Sequence, residues 1–129
     1  MSPAQTVRHV VDAVSRGGRV LLNVGPRADG TLPEHQVAVL EQLGEFMAEH
    51  KTALAGSHGL GALELPGAGW ARAVEKDGHC HVFVSGEQGT LQIAAEDLPA
   101  GFDWEAGGIE VELGGEDAAP IAVSAAAAC

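Results

Sequence analysis

The sequence predicts an α+β chain in two parts, and three observations carry that expectation. The segments that begin at Ser2 and at Thr31 each pair a capping signature with an apolar stripe at helical spacing. Between them lies a short, almost wholly apolar run bounded by glycines, Val20-Leu21-Leu22-Asn23-Val24, the pattern of a strand buried on both faces. Past residue 55 the texture changes to short apolar segments between turn residues, which predicts a small antiparallel β-sandwich domain.

Ser2, Pro3 and Gln5 announce the first helix: a hydroxyl cap, a proline at the first helical position, and a glutamine placed to reach back. Val7, Val10, Val11 and Val14 follow at i, i+3, i+4 and i+7, and Gly17-Gly18 ends the element. Helix, glycine pair, buried strand, turn and helix is the order of an α/β repeat. Thr31 with Glu34 predicts a second capping box, with Pro33 in the first turn. Val37, Leu40, Leu43 and Met47 are expected on the packed side of that helix. Glu34, Glu41, Glu45 and Glu49 fall on the other, read as a solvated face in preference to a catalytic carboxylate pair.

A boundary near residue 55 divides the chain into 1–55 and 56–129. Gly56, Gly59, Gly61, Gly67 and Gly69 punctuate an aperiodic stretch, expected to be linker or irregular loop. Strands are expected at 71–75, 79–84, 90–94, 109–113 and 121–124, joined by turns such as Lys76-Asp77-Gly78, with 125–129 as a frayed tail.

Composition narrows the function classes. A formal charge of −11, with 7 Lys+Arg against 18 Asp+Glu, would be repelled by a phosphate backbone or an anionic membrane, so neither nucleic acid nor membrane is an expected partner. A neutral sugar stays compatible. The two cysteines, Cys80 and Cys129, match neither a disulfide framework nor a zinc site. No run approaches the roughly 20 apolar residues of a membrane helix.

The passage from Val11 to Pro26, containing Gly17-Gly18-Arg19-Val20-Leu21-Leu22-Asn23-Val24-Gly25-Pro26, continues through Asp29-Gly30-Thr31-Leu32-Pro33, Leu43-Gly44-Glu45 and Ala53-Leu54-Ala55-Gly56. It closely resembles the end of the catalytic barrel of α-L-fucosidases, glycoside hydrolase family 29. Phe46 stands where that family customarily has Trp, and His50-Lys51 replaces Asn-Gly. About 55 residues carry the resemblance. The later strands, His81-Val82-Phe83-Val84 and Gly89-Thr90-Leu91-Gln92-Ile93, are similar only in style to those that follow the barrel.

The resemblance implies the last βα portion of a (β/α)8 TIM barrel followed by the β-sandwich, in an enzyme that cleaves terminal α-L-fucose with retention. Such chemistry uses two carboxylates about 5 to 5.5 Å apart. The family's nucleophile, its acid/base and its fucose-gripping histidines lie upstream of the "LLNVGP" motif and match no position here, so no catalytic residue is assigned. A barrel takes about 250 residues. The chain is therefore expected to be a C-terminal fragment, inert alone, as an internal start, truncated gene or split reading frame would produce. The alternative is a non-catalytic carbohydrate-binding or interaction module.

Three residues are candidates for substrate contact. Asn23 sits at the C-terminal end of the buried strand, where barrel active sites gather, and its amide could instead tie neighbouring loops together. Trp70 and Trp104 could offer flat indoles to a sugar ring, or serve as core or interface anchors. His79 and His81 project to one face of a strand, but with no third ligand evident they are read as half-exposed strand residues beside a buried Cys80. Asp29 is read as a turn former. No metal and no cofactor is expected. Fucosylated glycans are the expected partners of the whole enzyme, and an unpaired barrel strand at 20–24 predicts self-association.

Overall fold

The computed structural model describes residues 2–18, 28–31 and 33–128. The expected strand at 20–24, with Asn23, lies outside the described residues, as does Cys129.

Helix α1 spans Pro3–Ser15 and starts as the sequence predicts: the Ser2 hydroxyl accepts from the Gln5 N–H at 3.2 Å, and the Gln5 side chain accepts from the Ser2 N–H at 2.8 Å. Gly17 closes it in the left-handed region, φ 79°. Helix α2 spans Glu34–Leu54, but the expected capping box is absent. Pro33 occupies the cap position, and the Thr31 hydroxyl donates to Asp29 at 2.7 Å, with the Thr31 N–H on the same oxygen at 3.0 Å. The helix begins at Glu34, which leaves Thr31 two residues ahead of the cap position, where its hydroxyl is held in the Asp29 turn instead. Asp29 is the turn former expected of it.

Six strands follow: β1 His58–Ala62, β2 Trp70–Lys76, β3 His79–Ser85, β4 Gly89–Ile93, β5 Ile109–Leu113 and β6 Ile121–Ala126, with a 3-10 turn at 95–97. They make an antiparallel sheet in the order β1-β2-β3-β6 and a two-stranded antiparallel sheet, β4-β5. β2 and β3 join through Asp77 and Gly78, φ 52° and 79°, between paired Lys76 and His79. Two consecutive positive φ values are what a two-residue hairpin needs to match strand twist.

Alternation along the large sheet sorts its side chains into two cores. Ala71, Ala73, Cys80, Val82 and Val84 face the small sheet and pack with Ile93, Val111, Leu113, Leu65 and Leu98. Val74 and Phe83 face the helices and pack with Val7, Val11, Phe46 and Leu54. α1 and α2 thus share a hydrophobic core with the sheet. Among the described residues no helix is long and apolar enough to cross a membrane.

Three further expectations need correction. The stripe of α2 packs only toward its C-terminal end: Leu43 and Met47 are half-buried, while Val37 and Leu40 are each 37% exposed. The sheet is met instead by Phe46, His50 and Leu54, spaced i, i+4, i+8. The glycine-rich stretch after 55 is not all loop, because 58–62 pairs with β2 as an edge strand with an irregularity between Gly59 and Gly61. The tail is not frayed: β6 runs to Ala126, the Ala127 N–H donates to Gly78 O at 2.6 Å, and the Ala128 N–H donates to Gly101 O at 2.9 Å. A small-residue chain can lie flat against these turns, so backbone bonds hold what side chains do not.

Candidate functional site

Helix α1 crosses the end of β2 where Trp70, the first residue of that strand, meets Arg8 and Asp12, one helical turn apart on α1. Arg72, two residues along β2 and so on the same face, donates through Nε to Asp12 Oδ1 at 2.5 Å and through Nη1 to Ala71 O at 2.8 Å. Its guanidinium lies 5.0 Å from the centre of the Trp70 ring, inside the range of a cation–π contact. Arg16 adds a second bond to the same Asp12 oxygen at 3.0 Å. From α1, Arg8 donates to Glu116 O at 2.8 Å and to Ser85 Oγ at 3.3 Å. The hydrogen bond from Arg72, opposed by burial and reinforced by Arg16, holds the Asp12 carboxyl below the usual carboxylate range.

A groove of about 470 Å³ opens there, lined by Gln5, Arg8, His9, Asp12, Trp70 and Arg72. Two further hollows share Trp70 with it, one also lined by Arg72 and the other by Arg8. The two candidate tryptophans have separate surroundings. Trp70 sits at the helix–sheet junction, and its indole N–H bonds to none of the described residues without being buried. Trp104 packs on the core between the sheets and donates its indole N–H to Pro99 O at 2.9 Å, as an anchoring residue does. Sequence reasoning found Trp70 but missed Arg8, Asp12 and Arg72. The i, i+4 spacing of Asp12 and Arg16 was a local signal for one pair; the 60-residue link from Asp12 to Arg72 left none.

A second cluster lies where α2 meets β3. His50 sits between Phe46, ring centres 4.4 Å apart, and the edge of Phe83 at 5.5 Å. His81 accepts or donates at 2.7 Å with Ser124 Oγ, and its ring stacks at 6.5 Å on that of His79. The pair shares a face as the strand period requires. No group of three or more His, Cys, Asp or Glu side chains able to hold a metal occurs among the described residues. Burial pushes the His50 imidazole below its ordinary value, against the pull of Glu49, and burial with the neighbouring His79, His50 and Lys76 lowers His81. Cys80, fully buried, has its thiol pushed up to about 11 by burial and then by Glu75.

A family model described as Alpha-L-fucosidase matches residues 1–52. The structure superposes on the α-fucosidase of Thermotoga maritima, solved with a mechanism-based inhibitor, with a TM-score of 0.73 and 26% identity over 98% of this chain. The chain is similar to α-L-fucosidase along nearly its whole length. It spans only 34% of that fucosidase. The fold recurs in α-L-fucosidase isoenzyme 1 from Paenibacillus thiaminolyticus, TM-score 0.66 at 19% identity over 100% of this chain and 35% of that one. It recurs again in the α-L-fucosidase from Vibrio sp. strain EJY3, TM-score 0.70 at 17% identity over 100% of this chain and 26% of that one. No curated protein sequence matches the chain.

Proposed function

We propose that this chain forms the C-terminal part of an α-L-fucosidase, residues 1–55 giving the last βα portion of the (β/α)8 barrel and 56–129 a β-sandwich behind it. The observation that carries this reading is the superposition on a fucosidase over 98% of the chain, joined to the family match over 1–52. In the complete enzyme the reaction is removal of terminal α-L-fucose with retention, and fucosylated glycans are its substrates.

The chain alone is hydrolytically inert on this reading. Retention needs a nucleophile and an acid/base held on opposite sides of one glycosidic bond, and none of its carboxylates matches either. Its role is then to complete and brace the barrel. Val37 and Leu40 on the exposed side of α2 form a surface that the remaining barrel would cover and through which the isolated chain self-associates. A free-standing binding module is less well supported, because the solved structures it matches are enzymes.

The test is an assay of this chain on 4-nitrophenyl α-L-fucoside, alone and fused behind the barrel portion of the Thermotoga maritima relative. No turnover alone and retained-anomer fucose release by the fusion is the expected result. Turnover by the isolated chain, or binding of methyl α-L-fucoside by the isolated chain without activity in the fusion, overturns the reading.

A further inference from the structure

The groove at Trp70 concentrates cations in an acidic protein. The chain carries five arginines, at 8, 16, 19, 27 and 72, within a formal charge of −11. Two of them, Arg16 and Arg72, bond the carboxylate of Asp12, and Arg8 and Arg72 line the groove with it. Glu64, Asp97 and Glu116 line the adjoining hollows and not this one. In the groove itself two arginines thus face one carboxylate, although each also borders a neighbouring hollow that holds acidic residues.

The arginines are positioned but not used up. Both bonds of Arg8 leave from Nη1, and those of Arg72 leave from Nε and Nη1. A guanidinium has five N–H donors in a fixed fork, so each retains donors for a ligand. Anchoring to Glu116 O, Ala71 O and Asp12 sets their direction beforehand, which lowers the ordering cost of binding. Beside them the half-buried Trp70 indole, with Arg72 over its ring, offers an N–H bonded to none of the described residues and the part of the ring that stays exposed. Planar forks that read an oxyanion in a two-pronged way, next to an indole, are the complement of a sugar ring that carries an acid group.

We propose that this groove binds an acidic pyranose, a ring bearing a carboxylate or a sulfate, in the glycans that the enzyme meets. The proposal rests on the carbohydrate-active reading above and adds a ligand class to it. The oxyanion pairs with Arg8 and Arg72, and the apolar face of the ring lies against Trp70. Sequence reading named Trp70 as a candidate for sugar contact, with an anchoring role as the alternative; the two arginines add charge to that candidate.

The two indole N–H signals of the chain report binding separately, and Trp104→Phe assigns them. The probes are methyl β-D-glucuronide, galactose 6-sulfate, methyl α-L-fucoside and inorganic sulfate, each titrated against the 129-residue chain. One or both acidic sugars should shift the Trp70 signal saturably, with a dissociation constant of about 1–10 mM, and leave Trp104 unmoved. Whichever saturates identifies the acid group. Arg8→Gln should weaken binding about tenfold, as the loss of a hydrogen bond to a charged group does. Arg8→Lys, which keeps charge and loses the fork, should fall between, with unchanged circular dichroism in both. No shift from either acidic sugar, equal binding of inorganic sulfate, or equal binding of methyl α-L-fucoside would each overturn the proposal. An active fusion whose groove fails to bind sinks this inference alone, whereas saturable binding of an acidic sugar at Trp70 keeps the site even where the fucosidase reading is overturned by the outcomes named for it.

Discussion

Arg72 on β2 and Asp12 on α1 are joined at 2.5 Å, Nε to Oδ1, although 60 residues lie between them. The Arg72 side chain is 17% exposed and that of Asp12 30%, whereas Arg16, on the same carboxylate, is 61% exposed. Their worth should differ accordingly. Asp12→Asn leaves the sheltered guanidinium without its charged acceptor and is expected to cost about 1–3 kcal/mol in urea unfolding. Arg16→Ala removes an exposed i, i+4 pair and should cost under about 0.5 kcal/mol. A larger effect at Arg16 than at Asp12 would mean that the bridge does not fasten α1 to the sheet. Because the folded carboxyl of Asp12 lies below its ordinary 3.8, its contribution is present above about pH 4 and lost as pH falls through the folded value. Asp12→Asn should therefore be less acid-sensitive than the parent between pH 5 and pH 2.5.

The histidines act in a higher pH window. His50 lies between two phenyl rings, and His81, His79, Lys76, Asp77, Glu49 and Ser124 border the same hollow of about 590 Å³. Burial favours the neutral imidazole at His50 and at His81, so both titrate below 6.5 in the folded state. The stability they contribute is then whole above the unfolded value near 6.5 and declines as pH drops through the depressed folded values. The melting temperature should fall between pH 7.5 and pH 5, and His50→Phe, which suits the Phe46–Phe83 pair, should shrink that fall. An unchanged fall in the variant would remove His50 from the cause.

Much of this architecture can be read along the chain, and the exceptions share one physical origin. α1 is legible because its cap, proline and stripe are all local, and β2, β3, β5 and β6 because apolar residues recur with period two between turn residues. β1 escapes because its residues, His58–Ala62, are mostly exposed, so it forms through backbone pairing to β2 that no side-chain pattern reports. The sheet-facing side of α2 was misplaced because only contact with Phe83 selects Phe46 and His50 over Val37 and Leu40. At the candidate site, Trp70 stands out by residue type alone. The arginines become meaningful only when α1 docks on β2, a relation between positions far apart in sequence.

Gly59 tests that docking from the other end of α1. A Cβ built on it runs into the backbone carbonyl of Ser15 and lies 2.8 Å from Gly17 N, so the constraint is close approach of two backbones and neither side can yield as a flexible side chain would. Gly59→Ala should destabilise the fold by about 1–3 kcal/mol, the range of overpacking. Gly44→Ala, where a Cβ has open space in a helix, should stabilise by about 0.5–1 kcal/mol. Thermal unfolding of the two variants side by side decides the matter, and equal shifts would deny the contact.

Cys80 faces the core between the two sheets with no exposed surface, and burial raises its thiol to about 11. Two barriers therefore oppose its modification at pH 8: the reagent cannot reach the sulfur, and the thiolate is scarce even when it can. With Cys129→Ser removing the other cysteine, the chain should react with a disulfide reagent only as fast as it opens, and promptly once unfolded in urea. Cys80→Ala, which keeps the site apolar, should cost less stability than Cys80→Ser, since a hydroxyl buried there without a partner costs about 1–3 kcal/mol. Rapid labelling of the native chain would place the sulfur at the surface and undo the arrangement of β3 between helices and small sheet, because the same alternation that turns Cys80 inward turns His79 and His81 toward α2.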